Sequence, residues 1–142
     1  MNMRVSLIVV EEPDAFQHKQ RNFFASVAAQ SYPRDAFELI MVDHGAGSSI
    51  AAPFAALRSR HPALSASLLH CRSAARAEGN NLAAAAARGE LLVFLADDFD
   101  PSADLIAAHA AYHTMNPDID AVAIGPGLFP DDIRQDAFAR WL

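Results

Sequence analysis

Leu91-Leu92-Val93-Phe94-Leu95-Ala96 runs without a break into Asp97-Asp98-Phe99-Asp100-Pro101. Six apolar residues in a row are too few for a helix of ordinary length. They have the character of a strand covered on both faces. The acids and the proline end it abruptly. Two other segments have the same form. Residues 5–10, VSLIVV, run into Glu11-Glu12-Pro13, and residues 37–42, FELIMV, run into Asp43-His44-Gly45. Both are rich in strand-forming side chains. A weaker strand is predicted over residues 64–71 and a last one over 121–125.

Helical signals fill the gaps between these strands. Asp14 offers a cap to a helix carrying Phe16, Gln20, Phe23, Phe24 and Val27, stopped by Pro33. Ser48 and Ser49 precede a short helix with Phe54 and Leu57, closed by Pro62. Ser73 is placed to cap a helix running to Arg88, with Gly89 at its end. Ser102 is placed to cap one that reaches Met115, and a helix is expected from Asp131 onward. Phe23 and Phe24 are expected in the core, and Cys71 as a small buried hydrophobe.

Strand and helix alternate throughout, and the strong strands are continuously apolar. Together these features predict an α/β fold, a mostly parallel sheet with helices on both faces. Parallel strands all point one way, so the acids that follow them gather on one edge: Glu11-Glu12, Asp43, and Asp97-Asp98 with Asp100. In such sheets ligands bind beyond the carboxyl ends of the strands.

Bulk properties bound the possibilities. A chain of 142 residues suits a single domain. A formal net charge of -6 argues against nucleic acid as the main partner. The lone Cys71 excludes an internal disulfide, which fits a reducing compartment. No apolar run approaches the ~20 residues of a membrane span. Glu11 and Glu12 stand where a signal peptide would need its cleavage site, so a cytoplasmic location is expected.

Crowded carboxylates repel, and a hard divalent cation resolves the conflict. Mg²⁺ prefers oxygen ligands and is commonly held by one or two carboxylates together with substrate phosphates. The same acids could instead cap helices, Asp100 as readily as Ser102. A dinucleotide-binding domain is disfavoured, because the glycine-rich turn it needs after the first strand is replaced by Glu-Glu-Pro-Asp-Ala. Gly45-Ala46-Gly47 lacks the Gly-Lys-Ser/Thr of a phosphate-binding loop. His109 and His113 share a helix face, but Ala110 stands where the zinc-protease pattern has Glu.

In order and spacing, these segments resemble the family 2 glycosyltransferases. Ser26, Gln30, Tyr32 and Pro33 match that family's Ser-x-x-x-Gln-x-Tyr-Pro before the second strand. Asn81 stands eight residues before Gly89-Glu90, as in the family. Ala96-Asp97-Asp98 matches its acidic motif, and Pro101, Asp104 and Leu105 match the trailing Pro-x-x-Asp-Leu. The resemblance runs from about Val5 to Pro126.

The resemblance implies the donor-binding half of a GT-A type hexosyltransferase, which binds a nucleotide diphosphate sugar with Mg²⁺ or Mn²⁺. It makes Asp98 the metal ligand and Asp97 a ribose or sugar contact. Glu11, Asp43 and His44 fall near the base, and Arg76 near the base or a phosphate. Asn81 and Tyr32 are expected to be structural. Three positions depart from the family: Glu11-Glu12-Pro13 replaces its aromatic opening loop, His44 replaces its second aspartate after the second strand, and Ala96 replaces the first acid of its motif. A neutral His44 could still accept a hydrogen bond from uracil. These departures favour an alternative, a non-catalytic nucleotide-sugar-binding or interaction module that retains the fold.

The family's catalytic base belongs to an acceptor half that this chain is expected to lack, over a single nucleotide-sugar-binding domain at residues 1–142. Apolar surface near Phe129, Phe138, Trp141 and Leu142 is then expected to drive self-association. Light scattering over a concentration series should show the mass rising with concentration. A strict monomer with blue-shifted Trp141 emission overturns this expectation.

Overall fold

In chain order the elements are β1 (Val5–Val10), α1 (Phe23–Ala28), β2 (Phe37–Asp43), α2 (Ala51–Arg60), β3 (Ser65–His70), α3 (Arg76–Ala86), β4 (Leu91–Ala96) and α4 (Leu105–Met115). The structure, a computed structural model, describes residues 2–11, 22–44, 50–73 and 75–127. Expectations for Asp14, Phe16, Gln20, Ser48, Ser49 and everything from residue 128 onward lie outside the described residues.

The four strands form one parallel sheet in the order β3-β2-β1-β4. Val5 stands opposite Phe37 on one side and Leu91 on the other, and Val10 opposite Val42 and Ala96. Every residue of β1 and β2 is buried. Alternate side chains point to opposite faces. Val5, Leu7 and Val9, with Phe37, Leu39 and Met41, join Phe23, Val27, Phe54, Leu57, Ile106 and Ala110 in the larger core. That face is covered by α1, α2 and α4. Ile8, Val10, Ile40 and Val42 face the other way, onto Ala83 of α3. Both faces are covered, as continuous apolar strands require. Phe23 is in the core, with Phe24 edge-on to it at a centroid distance of 5.5 Å. Cys71 is only partly buried, packed against the smaller core.

The polar side chains inside β1 and β2 also have a reason. Ser6 and Glu38 are buried on adjacent strands, and Ser6 Oγ donates to Glu38 Oε1 at 2.8 Å. Arg88 completes the group. Its backbone N–H donates to Glu38 Oε1 at 2.7 Å, and its guanidinium reaches Glu38 Oε2 through Nε at 3.0 Å and Nη2 at 2.7 Å.

This explains why α3 stops earlier than the sequence suggests. It ends at Ala86, not Arg88, and Ala87 turns to extended backbone with φ -67 and ψ 141. Arg88 is thereby released to grip Glu38. Gly89 is no helix cap. Its N–H donates to Ser6 Oγ at 2.9 Å, and a Cβ there would lie 2.5 Å from Ser6 N. Only glycine lets the two segments approach so closely.

Three further expectations change. α3 begins at Arg76 with Ala75 at its cap, while Ser73 Oγ accepts a bond from the Ala75 N–H at 3.2 Å. α4 begins at Leu105, and the side chain of Ser102 does not cap it. Gln30, just past the end of α1, does so: its Oε1 accepts from the Ile106 N–H at 3.1 Å, while its Nε2 donates to Ser102 O at 2.6 Å. A helix start needs acceptors for its free N–H groups, and here they come from outside the helix. Residues 121–125 form no strand, and Val122 and Ile124 are 78% and 92% exposed. Strand propensity is realised only when a neighbour completes the ladder, and none of the described strands pairs with this segment. Tyr32 is structural as expected, its hydroxyl donating to Met3 O at 2.7 Å.

Burial alone would raise the Glu38 pKa, but the Arg88 N–H, the Ser6 hydroxyl and the Arg88 guanidinium outweigh it and hold it below its ordinary value. A carboxyl group depressed in the folded state contributes stability above its unfolded pKa and loses it as pH falls through the folded one. Glu38→Gln should cost about 2 kcal/mol near neutral pH and should flatten the loss of stability that the parent shows on acidification. Urea denaturation of both chains at neutral and acidic pH tests this. Equal slopes against pH overturn it.

Candidate functional site

All four carboxyl ends share one edge. From β1 the chain steps outward to β2 and β3, then returns past β1 to β4. The return passes through α3, which packs on β1 and β2. The direction of winding therefore reverses between β1 and β4, where an open parallel sheet leaves a crevice for a ligand.

The acids stand along this edge. Glu11 follows β1, with its N–H bonded to Val42 O at 2.9 Å. Asp43 ends β2 and Asp97 follows β4. Since Val10 is in register with both Val42 and Ala96, Glu11 lies between Asp43 and Asp97. Adjacent strands are about 4.8 Å apart. Glu11, Asp43 and Asp97 are 2%, 5% and 2% exposed, so the three carboxylates line the edge from within.

Buried carboxylates need compensation. Arg76, in the first turn of α3, brings Nη2 to 3.9 Å from Asp97 Oδ1 while nearly half its side chain stays exposed. His70, at the end of β3, brings Nδ1 to 3.2 Å from Asp43 Oδ2. α3 comes this close because residue 79 is glycine: a Cβ there would lie 2.9 Å from Val10 Cγ1 and 3.5 Å from His44 Cε1. His44 is half-buried, and its Nδ1 has no hydrogen-bond partner among the described residues.

Asp97 and Asp98 are neighbours in sequence with opposite environments. The Phe99 N–H bonds Ala96 O at 3.3 Å and closes a turn. That turn sends Asp97 inward and leaves Asp98, Phe99 and Asp100 exposed. The loop is anchored at its far end by buried Pro101 and by Gln30 on Ser102 O. Asp98 offers one accessible carboxylate. Among the described residues, no three His, Cys, Asp or Glu side chains converge on a common point.

Of the residues singled out from the sequence, Glu11, Asp43 and Asp97 are brought abreast, Arg76 is brought to Asp97, and His44 lies against α3. Asp98 stands outside this group, facing solvent. Sequence reasoning missed His70. Its only signal was a polar residue at the carboxyl end of the weakest strand, and its pairing with Asp43 depends on the β2–β3 register.

The fold has relatives among solved structures. TarS of S. aureus in complex with UDP superposes with a TM-score of 0.66 at 19% identity, over 80% of this chain and 32% of that one. The TarS complex with UDP-GlcNAc gives 0.64 at 19% identity over the same shares, 80% and 32%. The mannosyltransferase PcManGT of Pyrobaculum calidifontis, in complex with GDP-Man and Mn²⁺, gives 0.66 at 26% identity, over 75% of this chain and 31% of that one. The fold is that of the N-terminal part of GT-A type glycosyltransferases. This chain spans about a third of the length of each of these three structures. No protein-family model matches the sequence, and no curated protein matches it. Among the described residues no helix is long and apolar enough to cross a membrane.

The contrast between the two aspartates is testable without a ligand. Asp97→Ala removes a buried carboxylate from its partners and should cost about 1–3 kcal/mol, several degrees in thermal midpoint. Asp98→Ala removes an exposed one and should leave the midpoint nearly unchanged. Thermal melts of both variants decide it. Equal losses would overturn the inward and outward assignment.

Proposed function

We propose that this chain binds a nucleotide diphosphate sugar across the carboxyl edge of its sheet, as the donor-binding half of a glycosyltransferase. The observation that carries the proposal is the row of Glu11, Asp43 and Asp97 at the switch point, with Arg76 on Asp97 and Asp98 exposed beside them. Support comes from the fold, since the structures it resembles hold UDP, UDP-GlcNAc and GDP-Man with Mn²⁺.

Each residue has a role that follows from its environment. Glu11, Asp43 and Asp97 are buried, so they shape and polarise the edge. Arg76 is held to Asp97 at a distance that leaves its guanidinium able to turn to a phosphate oxygen. His44 offers ring nitrogens near the base end. Asp98 would hold Mg²⁺ or Mn²⁺. A single exposed carboxylate fits a cation that arrives with the diphosphate, because Mg²⁺ completes its shell with waters and substrate phosphates. Bound there, the cation would offset the charge that gathers on the departing diphosphate.

Transfer to an acceptor hydroxyl also needs a group to take the proton. The resemblance puts that acid in the acceptor half, so the role proposed for this chain, one nucleotide-sugar-binding domain, is to bind and orient the donor. A binding module without turnover would use the same site, and release of free nucleoside diphosphate in the presence of an acceptor half would separate the two.

Isothermal calorimetry with UDP and GDP, with and without Mn²⁺, tests the site. Mn²⁺ alone should give no measurable heat, and nucleotide should bind only when the metal is present. Asp98→Asn should weaken that binding at least about a hundredfold, since losing a metal-mediated contact costs several kcal/mol. Metal-independent binding, or no binding of either nucleotide, overturns the proposal.

A further inference from the structure

His70 closes β3 directly opposite Asp43 of β2. The two side chains meet at 3.2 Å, Nδ1 to Oδ2. Their exposure differs: the Asp43 side chain is 7% exposed and that of His70 is 71%. The Cys71 N–H donates to Asp43 O at 2.8 Å and ties the two strand ends together just beyond the pair.

A carboxylate only accepts hydrogen bonds, so a neutral His70 must carry its proton on Nδ1 to bond Asp43. Nε2 is then left as a bare acceptor on an exposed ring. A buried acid that fixes the tautomer of an accessible imidazole is a device for presenting one defined polar atom to a ligand.

Building on the nucleotide site proposed above, we propose that His70 reads the nucleobase and that Asp43 is its positioning residue. Arg76 and Asp98 put the diphosphate at the β1–β4 end of the edge. β3 lies three strands away from β4, about 14 Å at the usual spacing. A nucleoside diphosphate laid along the edge carries its base toward β2 and β3. Asp43 is too buried to meet that base itself, and His70 carries its polarity outward.

The bare Nε2 selects a base with a ring N–H. Uracil has one at N3 and guanine at N1. Cytosine and adenine have an unprotonated ring nitrogen at the equivalent place, and two acceptors would then face each other. His70 therefore favours UDP over CDP and GDP over ADP.

The test is calorimetric titration of the chain with UDP, CDP, GDP and ADP in the presence of Mn²⁺. The parent should prefer UDP to CDP about tenfold, the worth of one hydrogen bond gained and one repulsion avoided. His70→Ala should abolish that preference by weakening UDP binding, while CDP binding does not fall. Asp43→Ala should narrow the preference. His70→Gln, with an amide able to accept, should recover part of it. If His70→Ala keeps the parent's preference, or the parent shows none, the role of His70 is overturned while the nucleotide site stands. If the parent binds none of the four nucleotides, the nucleotide site falls and this role with it.

Discussion

Parallel pairing of β1 with β2 on one side and β4 on the other is the constraint from which the rest of the molecule follows. Parallel strands cannot be joined by a tight turn, so each needs a long return connection, usually a helix. The central strand is buried on both faces and must be apolar on both. The register that satisfies this packing also fixes where the strands end. With Val10 level with Val42 and Ala96, the residues that follow are forced to stand side by side, whatever their charge.

The two edges of the sheet use buried polar groups in different ways. At the amino edge, Glu38 is enclosed by Ser6 and by both the backbone and the guanidinium of Arg88. That group is closed on itself, and its chemistry is spent in holding β1, β2 and the α3–β4 connection together. At the carboxyl edge the buried acids are met by longer-reaching, partly exposed side chains, the guanidinium of Arg76 and the imidazole of His70. Both can exchange or share their contacts with a ligand without breaking the sheet. The loop after β4 is steadied from a distance by Gln30, which caps α4 and holds Ser102. A loop end anchored by these bonds next to an exposed Asp98 places a carboxylate without burying it.

Much of this was legible in the sequence for a simple reason: both the strand positions and the clustering of acids at one edge follow from local patterns. Continuous apolar runs mark buried strands, alternation with helices makes the sheet parallel, and parallel strands collect their carboxyl ends. The Gln30 and Tyr32 signature was visible as well, although not what those residues hold. Errors came where a side chain's partner lies far away in sequence. Arg88 looked like the last residue of a helix until Glu38, 50 residues earlier, claimed it. Ser102 looked like a cap until Gln30 supplied one. Residues 121–125 have strand composition, yet composition cannot provide the neighbour that a strand needs.

The sequence by itself therefore determined the α/β class, the positions of β1, β2 and β4 and the set of acids that meet at one edge, because each is a property of residues near one another in the chain. Only the tertiary structure decided which acids are usable. Asp97 and Asp98 are adjacent and chemically identical, and a single turn buries one and exposes the other. Asp43 and His70 are 27 residues apart, and only the pairing of β2 with β3 makes them partners. Burial and register are decided by what the rest of the chain packs against each residue, and no local pattern carries that.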